Sequence, residues 1–169
     1  MGTVESEPVE SAVRRRVAAR VLLLDAADRL LLFRGFDPAE PARTWWFTPG
    51  GGLEPGEDSR AAAHRELAEE TALTGIELGP VVAVDLALFS YDGERYEQHQ
   101  TFHLARIRQT GPELDSSGST SEERAQLREA RWWTLAELRR TTEQVYPVRL
   151  AELLELLLEQ GPPVHPVRL

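Results

Sequence analysis

The sequence predicts a domain that mixes strands and helices, of the α/β or the related α+β class. The first observation is that apolar runs of strand length alternate with segments that have helical composition or periodicity. The second is the length of 169 residues, which suits one domain with a sizeable core. We expect a flexible tail over residues 1–12, one domain over 13–160 and a C-terminal tail over 161–169.

The composition excludes several classes of protein. The chain has no cysteine, so disulfide frameworks and thiolate metal sites are excluded, and the reducing cytoplasm is the default location. No apolar run reaches the roughly 18 residues of a membrane span, and the acidic N-terminus lacks the apolar core of a secretory signal. The net charge of -9 argues against stable binding of nucleic acid, although carboxylates that hold a metal can still bind phosphates.

The first elements are predicted to be strands. Apolar runs at residues 17–24 and 30–33 flank the polar turn DAADR, which predicts a β-hairpin, although leucine-rich runs also suit a helix. The segment FDPAEPART contains two prolines and is predicted to be a loop, and the following WWFT is short and strand-like.

The next element is predicted to be a helix. It follows TPGGG and EPGED, and Asp58 or Ser59 can supply its N-cap. From Ser59 to about Thr71 the chain has no glycine or proline and is rich in alanine, which favours a helix over this range.

Strands and helices alternate again in the C-terminal half. The segments VVAVDLALFSY, EQHQTFHLARI and ARWW are strand-like, with DGE as a turn and RQTGPELDSSGSTSEER as a mobile loop. Thr134 and Glu137 have the spacing of a capping box, which predicts the start of a helix. An amphipathic last helix is predicted by leucines at helical spacing, namely Leu150, Leu153, Leu154, Leu157 and Leu158.

Three glutamates of the alanine-rich helix are predicted to share one face. With about 100° of rotation per residue, Glu69 and Glu70 lie about 60° and 40° to either side of Glu66. A solvated acidic face is the alternative, but like charges at this spacing destabilise a helix by roughly 0.2–0.5 kcal/mol per pair. A hard divalent cation offsets that repulsion, and carboxylates without cysteine favour Mg²⁺ or Mn²⁺ over zinc.

The spacing of these residues resembles the Nudix box, G-x5-E-x7-R-E-U-x-E-E-x-G-U, in which U is a bulky aliphatic residue. Residues 51–73 match it from Gly51 through Glu57 to RELAEETAL, except that Ala72 replaces the late glycine. WFTPGG, RLLLFRG and ARWWTLAEL are similar to flanking segments of that family, so the resemblance covers about residues 17–145. It implies an α/β/α sandwich around a mixed sheet, and an enzyme that cleaves the diphosphate linkage of a nucleoside diphosphate derivative.

The resemblance also implies roles for individual residues. Glu66, Glu69 and Glu70 would bind the divalent metals, and Glu57 would support that site through Arg65. The implied substrate contacts are Gly50, Gly51 and Arg34. Phe89 and Tyr91 are separate candidates, from the residues themselves, for lining a base pocket. A small-molecule diphosphate would be the partner, and a homodimer is compatible with the resemblance because many Nudix enzymes are dimers.

The general base is left open, because the family uses either a glutamate of the box or one outside it. Glu69 is the candidate inside the box. The candidates outside it are Glu94, Glu97, Glu122, Glu123 and Glu129.

Ala72 is the one departure from the pattern, and it is expected to strain or redirect the helix end without affecting the chemistry. The alternative function is a Nudix-fold module that binds nucleotide or ADP-ribose without turnover. An isoprenoid diphosphate isomerase is disfavoured because that relative generally relies on a cysteine.

Overall fold

The computed structural model describes residues 12–115, 117–118 and 127–169, and it confirms an α/β fold. The described helices are α1 (Ser59–Thr71), α2 (Leu135–Arg140) and α3 (Leu150–Gln160). The described strands are β1 (Arg14–Leu24), β2 (Leu30–Asp37), β3 (Glu40–Phe47), β4 (Gly50–Gly52), β5 (Leu78–Tyr91), β6 (Glu94–Arg106), β7 (Leu127–Trp133), β8 (Val145–Tyr146) and β9 (Val167–Arg168).

The strands form one mixed sheet in the order β8-β3-β2-β1-β6-β5-β9, to which β4 adds beside β1 and β7 beside β2. β1 runs parallel to β6 along its whole length and antiparallel to β2 at Leu24 and Leu30. At its other half, β1 pairs with β4 instead, through Ala18, Ala19 and Arg20. The short glycine strand therefore sits beside the central strand of the sheet.

Helices cover both faces of the sheet, because alternate residues of β1 point to opposite sides. Val21 and Leu23 pack on one face with Ala63 and Leu67 of α1. Leu22 and Leu24 belong to the core on the other face, whose helix residues are Leu138, Leu150, Leu153, Leu154 and Leu157. The α3 leucine stripe is buried as predicted, and each fully buried leucine is worth about 1.5–3 kcal/mol.

Several predicted elements are confirmed. β1 and β2 form the predicted hairpin rather than a helix, and Ser59–Thr71 is helical with Asp58 as the N-cap. Thr134 and Glu137 form a complete capping box at the start of α2. Among the described residues, no helix is both long enough and apolar enough to cross a membrane.

The prediction of a loop over FDPAEPART was wrong. Its residues form the end of β2, a turn at Pro38 and Ala39, and the start of β3. Pro41 is tolerated because the β2–β3 register shifts between Phe36 and Asp37, so the ladder is irregular beside this residue.

The C-terminal residues are also more ordered than the sequence suggests. We expected a tail over 161–169, but Val167 and Arg168 form β9, which pairs in parallel with Ala83 and Val84 of β5. A two-residue strand has no periodicity, so it leaves no signal in the sequence.

Candidate metal and diphosphate site

The candidate site is built on α1, whose ends are both fixed by hydrogen bonds. The Asp58 carboxylate accepts from the Ala61 N–H at 2.8 Å, which satisfies one of the unpaired donors of the first turn. At the other end, Ala72 adopts the left-handed conformation with φ 54°, and its N–H donates to the Ala68 carbonyl at 2.9 Å. The helix therefore ends as a glycine-terminated helix does, but with an alanine in that position.

The glycine strand β4 lies directly against the glutamates of α1. The Gly50 N–H donates to Glu70 Oε2 at 2.9 Å. A Cβ placed on Gly51 would lie only 2.4 Å from Glu66 Oε1, so a side chain at this position would displace the carboxylate. Gly50 itself has φ 129° and lies against the Ala19 carbonyl. Gly50 therefore requires a glycine, because of its positive φ and the adjacent backbone, and a side chain at Gly51 would move the Glu66 carboxylate.

Arg65 connects three of the acidic side chains. Its Nε and Nη2 donate to the two carboxylate oxygens of Glu57, each at 2.9 Å, and its Nη1 donates to Glu66 Oε1 at 2.8 Å. Glu69 Oε2 lies 3.6 Å from the same Nη1. Hydrogen bonds from Arg65 lower the pKa of Glu57 to about 2, and Glu57 in turn raises the pKa of Arg65.

The carboxylates of α1 have the chemistry that a hard cation requires, but they are not gathered as a complete metal-holding group. Within residues 12–115, 117–118 and 127–169, no three acidic or histidine side chains converge as a metal-holding group. Glu66 is 7% exposed and contacts Gly51, while Glu70 contacts Gly50, so two carboxylates meet adjacent residues of one strand. These oxygen donors are the type that Mg²⁺ and Mn²⁺ prefer.

Glu69 lies at the other side of this helix face, under the segment that follows β6. A Cβ on Gly118 would lie 3.1 Å from the Glu69 backbone, and the Asp115 N–H donates to the Thr71 carbonyl at 3.1 Å. The loop that the sequence predicted as mobile thus packs on the C-terminal turn of α1 where it is described.

The other charged candidates that the structure describes form ion pairs of their own. Arg34 pairs with Glu143 at 3.2 Å and with Glu129 at 3.9 Å, and it stacks over Trp46. Glu94 pairs with Arg14, and Glu97 pairs with Arg15. Glu122 and Glu123 lie outside the described residues.

A cleft of about 780 Å³ opens beside the glycine strand and is lined by Glu66, Glu70 and all three residues of β4. Neither Glu69 nor Arg34 is part of its lining. Phe89 and Tyr91, the aromatic candidates for a base pocket, both line it.

Arg20 connects this cleft to the glycine strand. Its Nη1 donates to the Gly50 carbonyl at 2.8 Å and approaches the Thr48 carbonyl at 3.4 Å, and its Nε donates to Gln100 at 3.3 Å. Burial lowers the pKa of Arg20 to about 10, against the opposing effect of Glu70, so the guanidinium remains charged at neutral pH. Arg20 was not among the predicted site residues, although an arginine inside the apolar run VAARVLLLD was a usable signal.

The comparisons with known proteins agree on one family. The NUDIX domain family model matches residues 14–154. An RNA pyrophosphohydrolase of Sphingopyxis alaskensis is 30% identical over 158 residues, which cover 87% of this chain and 93% of that protein. The putative mutator protein MutT4 of Mycobacterium tuberculosis is 33% identical over 118 residues, or 70% of this chain. An RNA pyrophosphohydrolase of Dinoroseobacter shibae is 39% identical over 82 residues, or 48% of this chain.

The match spans less than half of two of these relatives, namely 44% of the mycobacterial protein and 49% of the Dinoroseobacter protein. Among solved structures, a MutT protein from Methanosarcina mazei has a TM-score of 0.61 at 16% identity, over 89% of this chain and 98% of that one. The ORF135 protein of E. coli has a TM-score of 0.55 at 20% identity, over 90% and 96%. At these identities the likeness concerns the fold alone.

Proposed function

This chain belongs to the Nudix family, and on this premise we propose that it hydrolyses the diphosphate linkage of a nucleoside diphosphate derivative. The observation that carries the proposal is the packing of Glu66 and Glu70 against β4 at one side of a large cleft. Five relatives of this chain are named RNA pyrophosphohydrolases, which supports the same reaction class.

Glu66, Glu69 and Glu70 are the proposed ligands of Mg²⁺ or Mn²⁺. Arg65 donates to Glu66 and lies 3.6 Å from Glu69, so it is placed to orient these carboxylates for a cation. When bound, the cation neutralises the diphosphate and lowers the pKa of a water molecule. The chain contributes the orientation of the carboxylates, through the Gly50 N–H on Glu70 and through Arg65.

The reaction adds one water across a P–O–P linkage. Water attacks phosphorus, the bridging P–O bond breaks, and both products leave as phosphates. A carboxylate must accept the proton of the water, and we assign this role to Glu69 among the described candidates. Glu69 is preferred because it lies on the same helix as Glu66 and Glu70, whereas Glu94 and Glu97 belong to β6 and Glu129 belongs to β7.

Arg65 and Glu57 act as positioning residues in this proposal. The bidentate pair fixes the guanidinium, which also donates to the Gly52 carbonyl at 3.0 Å. The same arginine therefore joins the loop before α1 to the glycine strand and to the carboxylates. A planar fork of donors suits this task better than the point charge of a lysine.

The test is hydrolysis of a panel of nucleoside triphosphates, nucleotide sugars, ADP-ribose and dinucleotides, with and without Mg²⁺. We expect metal-dependent release of phosphate products, and at least tenfold lower rates for Glu69→Gln and Glu70→Gln. His64→Gln is the matched control, because His64 is exposed on the same helix. The proposal fails if no panel member is cleaved, or if both glutamine variants keep the wild-type rate.

The 5′ end of an RNA chain is the second candidate substrate. It is favoured by the relatives named RNA pyrophosphohydrolases, one of which aligns over 87% of this chain. A 5′-triphosphorylated oligoribonucleotide therefore belongs in the same panel.

A further inference from the structure

β5 lies at one side of the sheet, and its outer edge is covered only in part. Within the described residues, β6 pairs with β5 along one side, whereas on the other side β9 pairs only with Ala83 and Val84. Leu169 donates its N–H to the Val84 carbonyl and ends this short ladder. Residues 86–91, here called the open edge, therefore have no strand of the described chain along their outer side.

The open edge lacks the features by which sheet edges usually avoid association, namely charged residues, prolines and bulges. In β5 such features fall in the first half, where Pro80 occurs and the register with β6 shifts on both sides of Val81. The open edge has the sequence LALFSY, without charge or proline, and its pairing with β6 is regular. A regular and uncharged edge is a template for a further strand.

Two leucines make one face of the open edge apolar. Leu86 and Leu88 are 50% and 71% exposed, and they point to the same face because their spacing is two. Val17 of β1 lies on this face as well, since His99 of β6 is the register partner of both Val17 and Leu86. A strand added at the open edge would remove the leucines from water, which is the main driving force for association.

The open edge is complementary to itself in an antiparallel arrangement. Residues that face each other across an antiparallel pair point to the same side of the sheet, so a two-fold axis through Leu88 keeps the faces of both sheets in line. Leu88 then faces Leu88 of the partner subunit, and Leu86 faces Ser90 of the partner subunit. On the opposite face, Ala87 faces Phe89 of the partner subunit. Each unlike pair joins a small residue to a large one, and the leucines of both copies form one apolar stripe.

The charges at the two ends of the open edge suit the same arrangement. Asp92 follows the open edge in the β5–β6 turn and is exposed, and Arg168 of β9 is exposed near the other end. In the antiparallel pair, Asp92 of the partner subunit lies toward the end at which β9 finishes. The two-fold axis repeats this meeting of opposite charges, which favours a second copy over an unrelated strand.

We propose that the open edge binds a second copy of this chain, in an antiparallel β5–β5 pair centred on Leu88, to form a two-fold dimer with one continuous sheet. Ala87 and Phe89 line the cleft, so in the dimer the partner's Phe89 borders the cleft beside Ala87. The dimer does not depend on the proposed function, because neither the metal nor the diphosphate takes part in it.

The first experiment measures the mass of the full chain in solution by sedimentation velocity over a hundredfold range of protein concentration. We expect the wild type to form a species of twice the 19.0 kDa of one chain. Leu88→Lys should raise the dissociation constant of the dimer at least tenfold, because the two ammonium groups meet at the two-fold axis. Val17→Lys is the matched control and should leave the dimer intact, because Val17 is exposed on the same face but two strands from the open edge.

A monomeric wild type at every concentration would overturn the inference. Loss of the dimer in Val17→Lys as well as in Leu88→Lys would also overturn it, because this result requires packing between sheet faces instead of pairing between edges.

The second experiment tests the register by chemical cross-linking, and the absence of cysteine from the chain allows one thiol to be placed at a time. In the proposed pair the two Leu88 Cβ atoms lie about 4.5–5.5 Å apart. The two Leu86 side chains are offset by four residues along the strands, or about 13 Å. A bismaleimide too short for the second distance should therefore link Leu88→Cys into a covalent dimer and leave Leu86→Cys monomeric on denaturing gels.

Cross-linking of Leu86→Cys but not of Leu88→Cys would overturn the proposed register. Failure of both variants to cross-link, at a concentration at which the wild type is dimeric, would assign the dimer to another surface and overturn the β5–β5 pair.

Discussion

At the scale of single residues, Ala72 shows how a departure from a motif can leave the geometry intact. The helix still ends in the left-handed conformation, with φ 54° and ψ 10°, although an alanine occupies the position. A Cβ in this region crowds the following carbonyl and costs roughly 1–2 kcal/mol. The sequence predicted either strain or a different turn, and the structure shows the strained cap.

We therefore expect Ala72→Gly to stabilise the protein by about 1 kcal/mol, because the larger entropy of glycine in the unfolded chain offsets part of the relief. Urea unfolding checks this value. Ala68→Gly is the control, because Ala68 is exposed inside the same helix. This variant should instead be about 1 kcal/mol less stable than the wild type. A loss of stability in Ala72→Gly would show that the cap is not strained.

Glu57 allows a prediction of pH dependence. Its pKa is about 2 in the folded protein, mainly because Arg65 donates to it, against an ordinary value of 4.5. A carboxylate with a lowered folded pKa contributes stability that is complete above the unfolded pKa and is lost as the pH falls through the folded value. The contribution of Glu57 should therefore disappear between about pH 4.5 and pH 2.

Glu57→Gln should consequently be less sensitive to acid than the wild type. Urea midpoints of both proteins, measured from pH 7 to pH 2.5, should differ by a constant amount above pH 6 and converge on acidification. Curves that stay parallel throughout would mean that folding does not lower the pKa of Glu57 and that its ionisation does not stabilise the protein.

At the scale of elements, the sequence predicted the helices and strands whose residues follow a repeating pattern, and it did not predict those without one. α1 and α3 were predicted with nearly the correct ends, because alanine-rich composition and the leucine stripe extend over several turns. β3 was missed at its start because Pro41 normally ends a strand, and a register shift accommodates it here. β9 was missed because two residues are too few to show the alternating pattern of a strand.

Some residues of the candidate site could likewise be predicted from the sequence, and others could not. The glutamates and glycines of residues 51–73 lie close together in sequence, so their spacing alone indicated a shared site. The rest of the cleft brings together β1, β5 and β6, whose residues are up to 84 positions apart at Arg16 and Gln100. Side chains that meet only through parallel pairing of distant strands leave no local motif.

Arg20 acts between elements, because it joins β1 to β4 and to β6. Removal of its guanidinium should free the Gly50 carbonyl and loosen the strand whose N–H holds Glu70. We expect Arg20→Met to lower kcat by at least tenfold, with a smaller change in KM. Arg20→Lys should recover part of the rate, because the ammonium can still meet one carbonyl.

Mg²⁺ titration distinguishes this positioning role from simple damage to the fold. If Arg20 orients the site, Arg20→Met should need a higher Mg²⁺ concentration for half-maximal activity while its circular dichroism spectrum stays that of the wild type. An unchanged Mg²⁺ requirement together with a lowered melting temperature would assign Arg20 to stability alone.

At the scale of the whole molecule, metal binding should be visible as stability. Without a cation, the cations near the acidic face of α1 are Arg65, beside Glu66 and Glu69, and Arg20, which interacts with Glu70. A cation that binds only the folded state stabilises it by RT ln(1 + [L]/Kd), or about 2.7 kcal/mol when Mg²⁺ is at 100 times its Kd. For a chain of this size, that corresponds to a rise of about 5–11 °C in Tm.

Differential scanning fluorimetry with Mg²⁺, and with NaCl at matched ionic strength, measures this rise directly. Glu70→Gln should lose most of it, whereas Glu159→Gln, an exposed carboxylate on α3, should keep it because one surface charge far from α1 does not bind the cation. Glu66→Gln should lose the same rise in Tm as Glu70→Gln only if both carboxylates bind the same ion. The two variants therefore also test whether the carboxylates that pack against β4 form a single metal site. An equal rise in NaCl would show general screening of the net charge of -9 and would remove the metal from the proposed function.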